Sequence, residues 1–326
     1  MIDRCKICNN EMQNKPIFAK ELSIGKRTEF KYILCNQCHS LSIVEIPTLE
    51  AYYQHYPNLN QIAKKPLGNT RKLLYQYALR KNFRPFQKIL QFVDKSYNSL
   101  KIKALFPLNL SINDRILDVG CGNGELIQIL STLGFKNLIG IDPYFQECQT
   151  DSCNILKKSI FDLKDNYDLI MFHHSFEHMS HLSKVMKMVD SLLSNGGKCL
   201  IRMPNIESFS FHYFKENWEG IHAPFHLCLP SKKGIEVLLK NTSLKIDQIR
   251  YEQPLELFFH SVNYQANIAD FDPLGARLFY SKRKTYFSPP PLFTKSEFAY
   301  WKSKAKLVSK THLCDYINYY LIKAKN

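Results

Sequence analysis

Three glycines at alternate positions, Gly120, Gly122 and Gly124, constrain this chain more than any other feature of its sequence. They follow the apolar run Arg115-Ile-Leu-Asp118-Val119, which reads as a short buried strand. After them Leu126, Ile127, Leu130 and Leu133 recur at i, i+1, i+4 and i+7, the spacing of one helix face. Glycine admits backbone angles that side chains forbid, so the turn can lay bare peptide against a ligand. The helix that follows offers its unpaired N–H groups to the same ligand. Strand, glycine turn and helix in that order predict a nucleotide-like cofactor at the turn.

From 112 to 205 strands and helices alternate. Leu138-Ile-Gly-Ile-Asp142 is a second strand, and Asp142, 18 residues beyond Gly124, is placed to accept both hydroxyls of a ribose. A weak third strand falls between Asn154 and Ile160. The fourth, Tyr167 to Phe172, runs into His173-His174-Ser-Phe-Glu177-His178. A helix from Leu182, with Val185, Met186, Val189, Leu192 and Leu193 on one face, closes at Asn195-Gly196-Gly197 before a fifth strand, Lys198 to Met203. This order predicts an α/β fold with a doubly wound, Rossmann-like parallel sheet and ligands at the carboxyl ends of its strands.

Four segments are expected: 1–60, 61–111, 112–251 and 252–326. Their net charges are +1, +10, −5 and +9 when the last boundary is drawn at 272/273 and the second at 115/116, within a total of +15. Basic flanks around a mildly acidic centre suit an anionic partner: nucleic acid, a phosphorylated carrier or an anionic membrane face met peripherally. Residues 70–98 read as a basic helical bridge or lid, broken at Pro85. One apolar stripe is Leu73, Leu74 and Tyr77; another is Phe86, Ile89, Leu90, Val93 and Tyr97. Further on come a helix near 231–241 and a strand from Leu244 to Tyr251. Tyr319 to Ala324 fits either an antiparallel strand or the last turns of a helix.

The N-terminal segment carries Cys5-Lys-Ile-Cys8 and Cys35-Asn-Gln-Cys38. A C-x2-C turn brings two thiolates to one ion, and two such turns complete a tetrahedral zinc site with no open position. Zinc held by Cys5, Cys8, Cys35 and Cys38 would therefore be structural, a staple for a segment too small to hold itself together. The other six cysteines show no such pairing and read as small core residues. No run of 18 apolar residues and no signal-like N-terminus is present, so a cytoplasmic protein with reduced thiols is expected.

Together the glycine motif, the acid closing strand two and the Gly-Gly turn before strand five resemble class I S-adenosylmethionine-dependent methyltransferases. More of the chain is similar to bacterial methyltransferases of surface-polysaccharide and modified-sugar biosynthesis. That resemblance rests on the paired C-x2-C knuckles, Tyr52-Tyr53-Gln-His-Tyr56, His174-x-x-Glu177-His178 and Trp218…Pro224-Phe-His226-Leu. Residues 252–315 carry no motif of that family. The resemblance implies that Gly120, Gly122 and Gly124 line the methionine and adenosine of S-adenosylmethionine. It places Asp118 at the methionine end, Asp142 on the ribose, and Ser159-Ile160 or Phe161-Asp162 beside the adenine.

Methyl transfer from a sulfonium is an in-line displacement, so the acceptor must be aligned and its proton removed. His178 beside Glu177 is the first candidate for the base, with His174 and His226 as alternates. Holding the loop by hydrogen bonds is the plainer role these histidines could have. His174 to His178 also fits the inverted zinc-protease pattern, but that pattern needs its histidines on one long helix, and here it directly follows a strand. Glu125 stands where a dinucleotide fingerprint has its third glycine, which argues against a dehydrogenase. The expected acceptor is an anionic small-molecule sugar or a lipid-linked one, with RNA, gripped by the zinc module and basic flanks, as the alternative.

Overall fold

The structure, a computed structural model, describes residues 4–53, 69–80, 97–145, 147–150, 153–270 and 293–324. Its strands in chain order are β1 (Ile17–Lys20), β2 (Glu29–Leu34), β3 (Leu41–Ile43), β4 (Arg115–Val119), β5 (Asn137–Ile141), β6 (Cys148–Thr150), β7 (Cys153–Leu156), β8 (Tyr167–His173), β9 (Leu193–Pro204), β10 (Cys228–Leu229), β11 (Leu244–Glu252) and β12 (Tyr316–Lys323). The helices are α1 (Glu50–Tyr53), α2 (Asn69–Arg80), α3 (Tyr97–Lys103), α4 (Glu125–Thr132), α5 (Leu182–Leu192), α6 (Phe209–Phe214), α7 (Lys232–Leu239), α8 (Glu256–Gln265) and α9 (Lys295–Val308).

Eight strands form one sheet in the order β11-β12-β9-β8-β4-β5-β7-β6. β7, β5, β4, β8 and β9 run parallel, as a series of β-α-β crossovers requires. The central strand β4 is buried on both faces, which is why Ile116, Leu117 and Val119 are all apolar. From β4 the chain winds one way through β5 and β7 and then returns to β8 on the other side. That reversal opens a crevice at the carboxyl ends of β4 and β5, where the glycine turn lies. The edges are antiparallel: β6 on β7 at one side, β12 on β9 and β11 at the other. The ambiguous segment near residue 320 is thus a strand, paired on both sides.

Two apolar layers cover the sheet. On one face α5 and α7 bury Val185, Met186, Val189, Ile235 and Leu238 against β8 and β9. On the other, α2, α3 and α4 bury Tyr75, Ala78, Leu79, Ile102, Leu126 and Leu130 against β4 and β12. The packed face of α2 differs from the expected stripe, because Leu73 is 56% and Tyr77 47% exposed while Tyr75, Ala78 and Leu79 turn inward. Tyr75 and Leu79 share a face at i, i+4, and the choice between the two stripes is made by contact with α3 and α4. Of the second stripe, Phe86, Ile89, Leu90 and Val93 lie outside the described residues, as does the break at Pro85, and Tyr97 begins α3.

The N-terminal segment forms a second sheet, β1-β2-β3-β10, whose fourth strand comes from a distant part of the chain. Cys228 pairs with Ser42 and Leu229 with Leu41. A third core of Tyr32, Ile43, Phe211, Trp218, Phe258 and Trp301 joins this sheet to α6, α8 and α9. The segment 252–315, which carried no motif, adds Phe258 and Phe259 of α8 and Phe298 and Trp301 of α9 to this core. Trp301 stacks on Phe258 with ring centroids 5.0 Å apart. Among the remaining cysteines Cys199, Cys228 and Cys314 are buried and Cys121 half-buried, as small core residues should be.

Candidate active site

The glycine turn is shaped by close approach. Gly120 has φ +70°, and a Cβ on it would lie 2.5 Å from Cβ of Ser175. Ser175 in turn donates its hydroxyl to the carbonyl of Val119, tying the loop after β8 to the end of β4. Gly122 also has positive φ, +55°, but a Cβ there would meet nothing within 4 Å, so its backbone faces open space. Asp142, just past β5, accepts from the N–H of Gly122 at 3.0 Å and of Tyr144 at 2.9 Å. Burial raises its pKa, and those backbone donors oppose the rise.

These residues border a cavity of about 390 Å³. Of the expected cofactor residues, Gly120, Gly122, Asp142, Ser159 and Ile160 lie on its wall, and Tyr144 and Phe161 join them. Gly124 does not line it; with φ +67° it is the residue from which α4 starts. Asp118 does not line it either. It is 3% exposed, one residue before the lining Val119, and its Oδ1 has no hydrogen-bond partner. Burial pushes its pKa up to about 7 against the pull of Lys101. Asp162 does not reach the cavity wall, because its carboxylate caps the turn by accepting from the Ser159 N–H at 2.8 Å.

The opposite wall carries the histidines. His174, Ser175, His178 and His181 line the cavity together with Phe225. His178 Nδ1 lies 2.8 Å from the Phe225 carbonyl, which can only accept, so that nitrogen carries the hydrogen. His226 is fixed the same way, its Nδ1–H donating to the Gly220 carbonyl at 2.8 Å. It stands behind the wall, 4.8 Å from the His178 ring between centroids. Glu177 is fully buried beside His174 and His226. Its Oε1 is 3.4 Å from His174 Nδ1 and 3.8 Å from His226 Nε2, both too long for a hydrogen bond.

Burial decides the charges here. It lowers His178 to about 4 and holds His174 and His226 well below the usual imidazole range. It raises Glu177 to about 8. At neutral pH the imidazoles are therefore neutral and Glu177 keeps its proton, so the two contacts of Glu177 are not ion pairs. His174 sits in a left-handed turn, φ +55°, and accepts from Nη1 of Arg202. Arg202 is itself fully buried in β9 and pairs with Glu252 at 2.8 Å. Sequence reasoning passed over Arg202, although a charged residue in the middle of an apolar strand is a signal that a partner awaits it. It also passed over Ser175, for which the sequence holds no signal.

The loop after β9 is held by Asp315, which accepts from Trp218 Nε1 at 3.1 Å and Ser210 Oγ at 2.9 Å. The N-terminal sheet holds its far end. Leu227 N donates to the Glu177 carbonyl at 2.8 Å, and Ile43 N donates to the Leu227 carbonyl at 3.0 Å. Tyr32 donates its hydroxyl to the His226 carbonyl at 3.0 Å. Within that sheet's module Cys5 Sγ is 3.5 Å from Cys38 Sγ, and Cys8 Sγ is 3.5 Å from Cys35 Sγ. All four sulfurs lie within 4.8 Å of one another, a donor set that fits a tetrahedral thiolate-loving ion.

Residues 80–249, just over half of the chain, match the methyltransferase-domain family. Among curated relatives, the tRNA U34 carboxymethyltransferase of Campylobacter hominis is 28% identical over 130 residues, 36% of this chain and 46% of that protein. The mitochondrial ubiquinone biosynthesis O-methyltransferase of Mus musculus is 25% identical over 185 residues, 47% of this chain and 49% of that protein. The chain thus spans about half the length of these relatives. Among solved structures, the cyclopropane synthase MmaA2 from Mycobacterium tuberculosis aligns with TM-score 0.44 and 15% identity over 80% of this chain and all of that one. The family match covers every strand of the parallel series and both walls of the cavity, and the chain belongs to the S-adenosylmethionine-dependent methyltransferase domains.

Proposed function

We propose that this protein methylates a sugar, free as a nucleotide-sugar or on a lipid carrier, in cytoplasmic steps of surface-polysaccharide biosynthesis. The observation that carries the proposal is that one cavity is lined both by Gly120, Gly122 and Asp142 and by the neutral imidazoles of His174 and His178. S-adenosylmethionine, when bound, supplies an electrophilic methyl on a cationic sulfur. Gly120 and Gly122 would give it bare backbone, and Asp142 would take the ribose hydroxyls on the lone pairs its two backbone bonds leave over. Ser159 and Ile160, with Tyr144 and Phe161, would border the adenine. His178, on the facing wall, takes the acceptor's proton. With its Nδ1–H committed to Phe225, its neutral ring has one lone pair, on Nε2, for that purpose. The Phe225 carbonyl fixes the ring, and the His226 ring packs against it. Zinc on Cys5, Cys8, Cys35 and Cys38 would keep β1 to β3 folded and so keep the His226 loop in place.

Asp118 would act on the methionine end through its charge. Its pKa near 7 gives the reading a pH signature. The cationic donor favours the ionised carboxylate, so binding at about pH 6 should expel a proton and binding at about pH 8.5 should not. Affinity should rise from about pH 5 to 7 and then level off. Calorimetry in buffers of different ionisation heat measures the proton count, and Asp118→Asn should abolish it. An Asn variant that releases as many protons as the native chain would remove Asp118 from this role.

One relative acts on tRNA, and the strongly basic segments 61–115 and 273–326 would suit RNA, so RNA methylation is the second reading. The pairing of β10 with β3 favours the sugar, because it ties the cysteine module to the loop that brings Phe225 to the acceptor wall rather than leaving it a separate grip. Purified protein incubated with methyl-labelled donor and a panel of nucleotide-sugars, lipid-linked glycans and cellular RNA separates the two. Label is expected in a sugar fraction, and label confined to RNA would reverse the assignment. No helix among the described residues is long and apolar enough to cross a membrane, so a lipid-linked acceptor would be met at the surface.

A further inference from the structure

Glu177 stands out among the buried polar side chains of the described residues. It is wholly buried, and neither carboxylate oxygen has a hydrogen-bond partner. One ligand atom each from Glu177, His178 and His226 lie within 4.8 Å of one another. We infer that these three residues form a second, separate metal site, for a divalent cation of the zinc, cobalt or manganese type. Two imidazoles and one carboxylate, whose proton the cation would displace to solvent, are a donor set that such ions favour.

Three features argue for a built site. His226 donates its Nδ1–H to a backbone carbonyl and aims Nε2 at Glu177, and His178 is anchored through its Nδ1 in the same manner. Outer bonds of this kind fix the tautomer of a ligating histidine. His174, held by Arg202 at Nε2, directs its Nδ1–H at the Glu177 carboxylate from 3.4 Å, as a group orienting a ligating carboxylate would. A bound cation would also give the oxygens of Glu177 the partner that the protein withholds. The separations are somewhat longer than those around a bound ion, so the three side chains would draw together on binding.

This site rests on the proposed role of His178 and limits it. A neutral imidazole with Nδ1–H has a single lone pair, which can hold the acceptor's proton or the cation but not both. Occupancy therefore inhibits transfer.

The test keeps the cysteine module zinc-loaded and titrates the full chain with MnCl2, following free Mn²⁺ by its paramagnetic resonance. Thiolates favour zinc over manganese, so the module does not exchange. One equivalent of Mn²⁺ is expected to bind. Glu177→Gln and His226→Gln, each checked for one retained zinc and a native circular dichroism spectrum, should weaken it at least about tenfold. Native protein that takes up no Mn²⁺, or folded variants that bind it as tightly as the native chain, would overturn the site. Methyl transfer to an active acceptor of the panel should fall in step with Mn²⁺ occupancy, and a rise would overturn the competition. Binding of S-adenosylhomocysteine, measured on the same sample, keeps the two readings apart. Protein that binds this product but not Mn²⁺ loses only the cation site.

Discussion

Gly120→Ala should cost the protein about a hundredfold in affinity for S-adenosylhomocysteine, on the order of 2.7 kcal/mol. Two separate penalties meet at this residue. Its φ of +70° is one that a non-glycine residue occupies at a cost of about 1–2 kcal/mol. The added methyl would also stand 2.5 Å from Cβ of Ser175, with the Ser175 Cα at 3.8 Å behind it. Relief requires either the turn or the loop after β8 to move. Either movement breaks the bond from the Ser175 hydroxyl to the Val119 carbonyl and shifts both walls of the cavity. Gly122→Ala is the control, because its Cβ meets no protein atom and projects into open space. It should lose donor binding with less loss of stability, whereas Gly120→Ala should lose both. Calorimetric titration and thermal denaturation of the pair decide the matter. A Gly120→Ala protein that binds the product within about threefold of native would remove the turn from the donor site.

Stripping zinc, or replacing Cys38 with Ser, should have the larger effect on the fold. A structural zinc contributes about 10–16 kcal/mol of apparent binding energy, as much as the whole stability of a typical domain. Without it β1 to β3 should unfold and expose Ile33, Leu41 and Ile43, which are now buried. The loss travels to the acceptor wall through the β3–β10 pairing and the Tyr32 bond to the His226 carbonyl. Among the described residues, β4 and β5 of the donor wall pair with each other and with β7 and β8 rather than with the module's strands. Methyl transfer should therefore vanish while affinity for S-adenosylhomocysteine falls only several-fold. Hydrogen exchange offers a direct view. Protection should disappear from residues 29–43 and 226–231 and persist across 115–141. Zinc-free protein with native exchange in the first two segments would show that the four sulfurs carry no structural metal.

Legibility followed the range of the contacts. The span of β4 and the start of α5 could be read to the residue, because a buried strand and an amphipathic helix announce themselves in neighbouring side chains. Of the residues expected at the cofactor, Gly120, Gly122, Asp142, Ser159 and Ile160 lie on one cavity, since they follow strands that local pattern reveals, whereas Gly124 and Asp118 do not line it. The cysteine knuckles were readable from spacing alone. What escaped was set by partners far off in sequence. β10 is two residues long and exists because β3 is beside it. The inward face of α2 was misjudged because α3 and α4 choose it. Helices α8 and α9 bury a few large aromatics against α6 and β2, without the regular apolar stripe that betrays a helix. Arg202 and Glu252, 50 residues apart, make sense only once β9 and β11 flank β12.

That arrangement has a consequence for how the molecule is made. β12 follows every other described strand in the sequence, yet it lies inside the sheet between β9 and β11. Its first residue, Tyr316, packs its ring at a tilt against His174, centroids 4.4 Å apart, and under the Arg202 guanidinium at 4.8 Å. While a ribosome is still extending the chain, the donor half can close on itself, but β9 remains an open edge and the imidazole cluster lacks its backing. The strands of the donor side are thus complete in sequence before the strand that backs the imidazoles, and the acceptor side is finished only once β12 has been made.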